Sequence, residues 1–516
     1  MACSRQNNIH RASIAATQTF PRFSILFTLF CSISFGIPLQ IQMAGGDPPM
    51  SKIFNDPVHG HIELHPLLVS IIDTPQFQRL RNIKQLSAKY YVFPGASHNR
   101  FEHSIGVAYL AGCLVKELQK RQRDLNIDER DVLCVQIAGL CHDMGHGPFS
   151  HLFDGRFMPQ AALKKNFKHE ETSVKMFEHL VSNGLREKME KYGLIDEDSK
   201  FIKEMIVGPP ESEIMGGPPE SGNLWKYEGR TEEKSFLYEI VANKQNGVDV
   251  DKMDYFARDC HHLGMQNNFD FKRFLAFARV CEYDNKRHIC TRDKEVWNMY
   301  DFFYTRYSLH QRVYQHKTAN AIEIMITDAF LKADPHIKIK GSNGKDYTIS
   351  GSVVDMVAYT KLTDNIFLQI LHKGREGAEI LEQIERRELY TLIGQTQPIK
   401  EQALIEMDYW KPEELANHSL ICKPEDFRVD IVRMDYGKRG ENPVDALRFY
   451  RKSDPDTAEQ ISKDEVSVIL PKAFAEQIIR VYCTKTDQES LKDAELAFQK
   501  LCKKNHSCMY VELCED

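Results

Sequence analysis

The residues able to do chemistry stand in a few short stretches. His142 and Asp143 are adjacent, followed by His146 and by His151-x-x-Asp154. Upstream lies Arg100-Phe-Glu-His103, and downstream Asp249-Val-Asp251-Lys252-x-Asp254-Tyr255. Imidazoles and carboxylates together suit a borderline divalent metal, and two of each leave room for water. A His-Asp dipeptide alone occurs by chance in many proteins, and His103 alone would read as a satisfied core histidine. The ordered set of a His, a His-Asp and a later Asp, with further His and Arg beside it, is specific for a metal site.

Such groups need elements to hold them. Val132 to Met144 (VLCVQIAGLCHDM) reads as a helix buried almost all round, with Asp128 as N-cap, Asp131 three residues on, and Gly145, Gly147 and Pro148 ending it. A polar His-Asp pair inside such a helix must find partners, because unpaired buried charge is costly. From Lys52 to about Leu392 the pattern is overwhelmingly helical. Residues 208–222 contain GPPES twice, a short duplication in a Pro/Gly loop, and Lys340 to Lys345 (KGSNGK) reads as a turn. Phe427 to Tyr436 alternates like a half-buried strand, and Val466 to Tyr482 reads as helix, then strand. The expected fold is mainly α: a leader over 1–50, a helical body over 51–395, and a smaller α+β lobe over 396–516.

With 516 residues the chain can bury more than one core, and its 42% hydrophobic and 27% charged residues are those of a soluble globular protein. A formal net charge of −6 gives no global basic field for nucleic acid. Thirteen cysteines without a CxxC pair read as reduced thiols of a cytosolic or nuclear protein. Cys281 and Cys290 are close enough to act as a redox pair, but read first as small buried hydrophobes. Phe23 to Leu39 is uncharged and follows Arg5, Arg11 and Arg22, like a signal peptide or short anchor. No clear cleavage site follows, so the working protein is expected to start near Met43 or Met50, with a membrane role only if 23–39 is a real anchor.

The His/Asp set resembles the HD-domain phosphohydrolase superfamily. Longer stretches narrow the resemblance: Phe54-Asn-Asp-Pro-Val-His-Gly-His61, Asp73-Thr-Pro-Gln-Phe-Gln-Arg-Leu-Arg81, Tyr91-Val-Phe-Pro-Gly-Ala-Ser-His-Asn-Arg-Phe-Glu-His103, Gly139-Leu-Cys-His-Asp-Met-Gly-His-Gly-Pro-Phe-Ser-His151 and Asp254-Tyr-Phe-Ala-Arg-Asp-Cys-His-His-Leu-Gly264. They are similar to the vertebrate SAM- and HD-domain-containing dNTP triphosphohydrolases, over essentially Lys52 to Tyr482. No SAM domain is expected before the HD body, nor an extended regulatory tail after it.

The resemblance implies specific roles. His103, His142, Asp143 and Asp251 would hold one iron, zinc or manganese ion, and Mg2+ would accompany the nucleotide phosphates. His151, oriented by Asp154, is the first candidate acid for the leaving 5′-oxygen, and His169 the second. Arg100, His146, Lys252, Tyr255 and Arg306 would grip the triphosphate, with His146 also counted in the catalytic group. Asp259 would meet the 3′-hydroxyl, Gln85 and Leu86 would lie beside sugar and base, and Tyr314 with Gln315 would exclude a ribose 2′-hydroxyl. Lys52, Ile53, Asp73, Gln78 and Arg81 look like a guanine-selective activator site for GTP or dGTP. Asn55, Val92, Arg273, Arg292, Lys294, Asn298, His316 and Lys317 look like a neighbouring activator-dNTP site, the two together gluing a homotetramer. Lower dNTP pools would slow reverse transcription, so an antiviral role is implied too. Two other classes compete: a nucleotide or single-stranded nucleic-acid sensor, which need not keep the metal and acid residues, and another HD chemistry such as a cyclic-nucleotide phosphodiesterase, which the phosphate-gripping set disfavours.

Overall fold

The computed structural model describes residues 51–161, 167–208 and 225–504 apart from 226, 285, 375, 401–408, 439 and 468, together with the backbone of 510–511. The leader, including 23–39, and the GPPES duplication lie outside the described residues.

The described chain opens with an antiparallel hairpin of β1 (Lys52–Asp56) and β2 (Gly60–Leu64). The helical body follows. α1 (Arg100–Arg121) begins at a capping box in which the Asn99 N–H donates to Glu102 at 2.7 Å. α2 (Glu129–Cys141) begins at the expected Asp128 cap, whose side chain accepts from the Asp131 N–H at 2.9 Å. All of α2 from Asp131 to Cys141 is buried. The helix ends at Cys141 rather than Met144, so His142 caps it and Asp143 falls in the turn beyond. The physical reason is the close pass at Gly145, whose backbone runs against His169 and Ser173 so tightly that no Cβ fits there. α3 (His169–Leu180) supplies that backbone.

α4 (Val250–Leu263) starts at Asp249, which accepts from the Lys252 N–H, and stops at Gly264 in the left-handed region at φ 65°. It packs on α1, which also packs on α2. A hairpin of β3 (Arg279–Tyr283) and β4 (Lys286–Arg292) departs from the helical pattern expected there. Cys281 and Cys290 lie buried on it as free thiols, in contact, and that contact together with burial pushes the Cys290 thiol up. α5 (Val296–Leu309) and α6 (Lys317–Ala333) complete the elements used below. The fold is mainly α.

The C-terminal lobe is built on a sheet. β5 (Thr391–Thr396) and β6 (Phe427–Asp435) flank β9 (Ala475–Cys483), both antiparallel to it, with Arg480 opposite both Gln395 and Asp430. The short β7 (Phe449–Tyr450) and β8 (Ala458–Glu459) instead join the β3–β4 hairpin, β7 running parallel to β4. The expected helix of this lobe sits earlier, over Lys463–Val466. α7 (Gln488–Lys504) lays Phe498 on Gly394 of β5, where a side chain would collide with the ring. A separate core of Ile393, Trp410, Phe427, Val481 and Phe498 forms there. Among the described residues no helix is long and apolar enough to cross a membrane.

Phe498→Ala empties the centre of this second core, and core Phe-to-Ala changes cost about 3–5 kcal/mol. Chemical denaturation should show the loss in the lobe's unfolding; an unchanged midpoint would refute the packing described here.

Candidate metal centre

α1, the end of α2 and the first turn of α4 bring His103, His142, Asp143 and Asp251 together. His103 Nε2 lies 3.3 Å from Asp143 Oδ2 and 3.1 Å from Asp251 Oδ1. His142 Nε2 lies 3.4 Å from an oxygen of each carboxylate. Neither Nε2 makes a hydrogen bond, although both are buried. Two orphaned imidazole nitrogens facing two carboxylates fit a divalent cation between them. Burial alone would lower the His103 pKa, but Asp143, Asp251 and Asp254 outweigh it and raise it well above the ordinary histidine value; a cation in that space instead keeps both rings neutral as ligands.

The opposite nitrogens are fixed. His103 Nδ1–H donates to Asp254 Oδ2 at 2.7 Å, and His142 Nδ1–H to the Gly139 carbonyl at 2.8 Å. Each histidine therefore presents Nε2 to the facing carboxylates. Asp254 also takes His59 Nε2 at 2.6 Å and both ends of the Arg258 guanidinium, which reaches on to Asp56 at 2.8 Å. Gly106 leaves the space that Asp254 and Arg258 occupy. Sequence alone assigns no role to His59, Asp56 and Arg258; His59 meets Asp254 across 195 positions and Asp56 meets Arg258 across 202, so only the fold joins them. Arg100 Nη1 lies 2.7 Å from Asp143, and its Nε donates to Ser150 Oγ at 2.9 Å. Burial of Asp143 is outweighed by Arg100, His142 and His146, which hold its carboxyl well below the usual range.

A second cluster adjoins the first. The His146 and His169 rings stack at 3.9 Å, and His146 Nε2 lies 3.3 Å from Asp143. Asp154 holds His169 Nδ1 at 2.7 Å and His151 Nδ1 less closely, at 3.4 Å. Burial would lower the His169 pKa, but Asp154 overrides it and raises it. Burial, then Arg100 and His169, push His146 well down, so it stays neutral beside a charged neighbour. Phe149 and Ser150, in the loop between these histidines, both have left-handed backbones. Asp364 anchors that loop: its carboxylate accepts from the Phe149 N–H at 2.7 Å and the Lys84 N–H at 2.8 Å.

One cavity of about 690 Å³ runs past both clusters. Every residue assigned above to substrate lines it: Gln85, Leu86, Arg100, His146, His151, Lys252, Tyr255, Asp259, Arg306, Tyr314 and Gln315. His142, Asp143, Asp251 and His169 line it too, while His103 and Asp154 stand behind them. Lys252 and Arg306 are held by Asp249 at 3.0 Å and by Asp435 at 2.7 Å. The far wall is an ion network that sequence reading missed. Lys89 pairs with Glu323, Glu323 with Arg156, and Arg156 with Asp430 of β6 at 3.0 Å.

The residues assigned to activators lie outside this cavity. Gln78 accepts from Arg81 Nε at 2.8 Å, Arg81 covers the Phe101 ring, Asp73 is exposed, and Lys52, Ile53 and Asn55 sit on β1. Arg273 pairs with Glu295, Asn298 bonds Asp270, Arg292 pairs with Asp293, and Lys294 covers Phe277. His316 and Lys317 open α6 near Phe93, the neighbour of Val92. Within one chain these side chains are spread over separate elements.

Residues 100–258 match the HD domain family model, the class that a His, a His-Asp and a later Asp on three helical segments define. The chain is 63% identical over 478 residues to deoxynucleoside triphosphate triphosphohydrolase SAMHD1 of Xenopus laevis, covering 89% of this chain and 76% of the relative. Against the human protein of that name it is 61% identical over 464 residues, covering 87% and 73%. A Dictyostelium discoideum homologue is 37% identical over 475 residues, covering 89% and 81%. The chain belongs to this SAMHD1 family.

Asp254→Asn removes the charge that fixes the His103 tautomer, and losing such an outer partner costs about 10–100-fold in metal affinity. Metal titration with a competing chelator measures it, and wild-type affinity in a folded variant would show that Asp254 does not orient the ligand.

Proposed function

We propose that this chain hydrolyses deoxynucleoside triphosphates to the deoxynucleoside and inorganic triphosphate. One observation carries the reading: the two partnerless Nε2 atoms and their facing carboxylates sit beside a cavity lined by Arg100, Lys252 and Arg306. A divalent iron, zinc or manganese ion held by His103, His142, Asp143 and Asp251 supplies, when bound, Lewis acidity toward a phosphoryl oxygen and an activated water. The three cations, with His146 and Tyr255, fit the spread charge of a triphosphate and its Mg2+. The 5′-alkoxide leaves only if protonated. His169 is best placed to hold that proton, because Asp154 raises its pKa, and His151 is the more exposed alternative. Tyr314 and Asp259 face the same cavity and fit a sugar with a 3′-hydroxyl and no 2′-hydroxyl.

The same reading includes activation. GTP or dGTP at Lys52, Ile53, Asp73, Gln78 and Arg81, and a dNTP at the second set, would favour a homotetramer through binding energy available only there. The exposed Asp73 carboxylate suits guanine N1–H and N2–H. A nuclear or cytoplasmic enzyme of this kind lowers dNTP pools and so restricts viral reverse transcription.

Purified protein given dGTP should release deoxyguanosine and inorganic triphosphate on chromatography; dGMP with pyrophosphate would mean a different bond is cut. His142→Ala should lose both metal and turnover, whereas Asp73→Ala should lose stimulation by GTP with metal content intact. A charged His169 is the form that donates, so kcat falls as pH rises through its pKa. Asp154→Asn withdraws the raising charge and moves that alkaline limb to lower pH; an unmoved limb assigns the proton to another group.

A further inference from the structure

The proposed sugar contacts rest on a residue outside the cavity. Asp259 shows one carboxylate oxygen to Tyr314, whose hydroxyl donates at 2.5 Å. Its other oxygen is taken by His98 Nε2 at 2.6 Å. The His98 side chain is 0% exposed and that of Asp259 1%, so water does not compete for this bond. His98 does not line the cavity.

His98 is itself held from three sides. Its ring stacks on His262 at 4.3 Å with the planes 9° apart. Burial and the neighbouring His98 push His262 down to about 4, so the stacked partner stays uncharged. The backbone at Gly95 runs so close to the His262 carbonyl that only glycine fits, which presses the His98 loop onto the end of α4. On the main chain, the His98 carbonyl accepts from the Gln85 N–H at 3.0 Å. One residue thus ties together two walls of the cavity: Gln85 through its carbonyl, Asp259 and hence Tyr314 through its ring.

We infer that His98 is a positioning residue that sets sugar specificity, fixing Asp259 and Tyr314 where they meet the 3′-hydroxyl and C2′ of a deoxynucleotide. The inference rests on the proposed function, since it names a determinant of that same site. With both oxygens directed by fixed donors, the carboxylate has one orientation, and the Tyr314 ring is pinned through its hydroxyl. A ribose 2′-hydroxyl meets a ring that cannot turn aside. Without the His98 donor the carboxylate can rotate, the ring loosens, and selection between sugars weakens. The metal ligands make no contact with His98, so their cation is retained.

The test compares dATP, ATP and 2′,3′-dideoxy-ATP as substrates for wild type, His98→Ala and His98→Gln, at a fixed GTP concentration, with bound metal and thermal midpoint measured for each. One lost hydrogen bond to a charged group corresponds to about tenfold or more. His98→Ala should raise KM for dATP by about tenfold, with a smaller change in kcat. It should also lower the preference for dATP over both ATP and the dideoxy compound, with metal content unchanged. His98→Gln, whose amide can still donate to Asp259, should recover part of that preference. If His98→Ala fails to fold, the glutamine variant decides: it should show a preference below wild type at unchanged metal content. Wild-type preferences in a folded, metal-replete variant overturn the inference. An inactive wild-type protein overturns the proposed function instead, so the two failures are told apart.

Discussion

Between the imidazoles of His103 and His142 and the carboxylates of Asp143 and Asp251, donor atoms stand 3.1–3.4 Å apart with no hydrogen joining the metal-facing nitrogens to any partner. Two carboxylates facing one pair of buried imidazoles are costly in a low-dielectric interior unless positive charge sits among them. Arg100 supplies part of it on one side of Asp143, and Arg258 supplies it to the outer partner Asp254. A divalent cation among the four side chains fits the remaining demand for positive charge. α1 and α4, capped at their starts, present His103 and Asp251 near those starts, while His142 and Asp143 follow the end of α2.

The constraint also explains where the backbone is irregular. α2 stops one residue before His142, and the chain then turns through Gly145 to Phe149 and Ser150, both left-handed. A straight helix would send His146 and His151 away from each other along its length. The turn instead puts His146 against His169 and beside Asp143, with Asp154 behind. Asp364 holds the turn through two backbone amides, and burial raises its carboxyl to about 7. One bent segment therefore carries His142 and Asp143 into the first cluster and His146, His151 and Asp154 into the second.

Much of this was legible in the sequence where its cause is local. The Asp128 cap, the β6 strand and the turn at 340–345 depend on neighbouring residues. His103, His142, Asp143 and Asp251 were singled out through motif order and a family likeness, and the fold brings the four side chains together. The end of α2 was not, because the Gly145 contact comes from His169 and Ser173, some 25 positions away. The supports were not legible either: His59 with Asp254, His98 with Asp259, and Lys89 with Glu323 are partners chosen by packing across 150–240 positions. Strands β7 and β8 defied a reading by segments, since they complete a sheet begun near residue 280.

The reach of β6 into the cavity wall changes what the C-terminal lobe is. Asp430 shares Arg156 with Glu323, and also receives the Asn320 amide at 2.9 Å. Sever the chain ahead of β6, and Arg156 keeps a single anion that Lys89 already claims. Two cations would then share one acid on the cavity wall. The sheet of the C-terminal lobe thus gives Arg156 an anion of its own, beside the Glu323 it shares with Lys89.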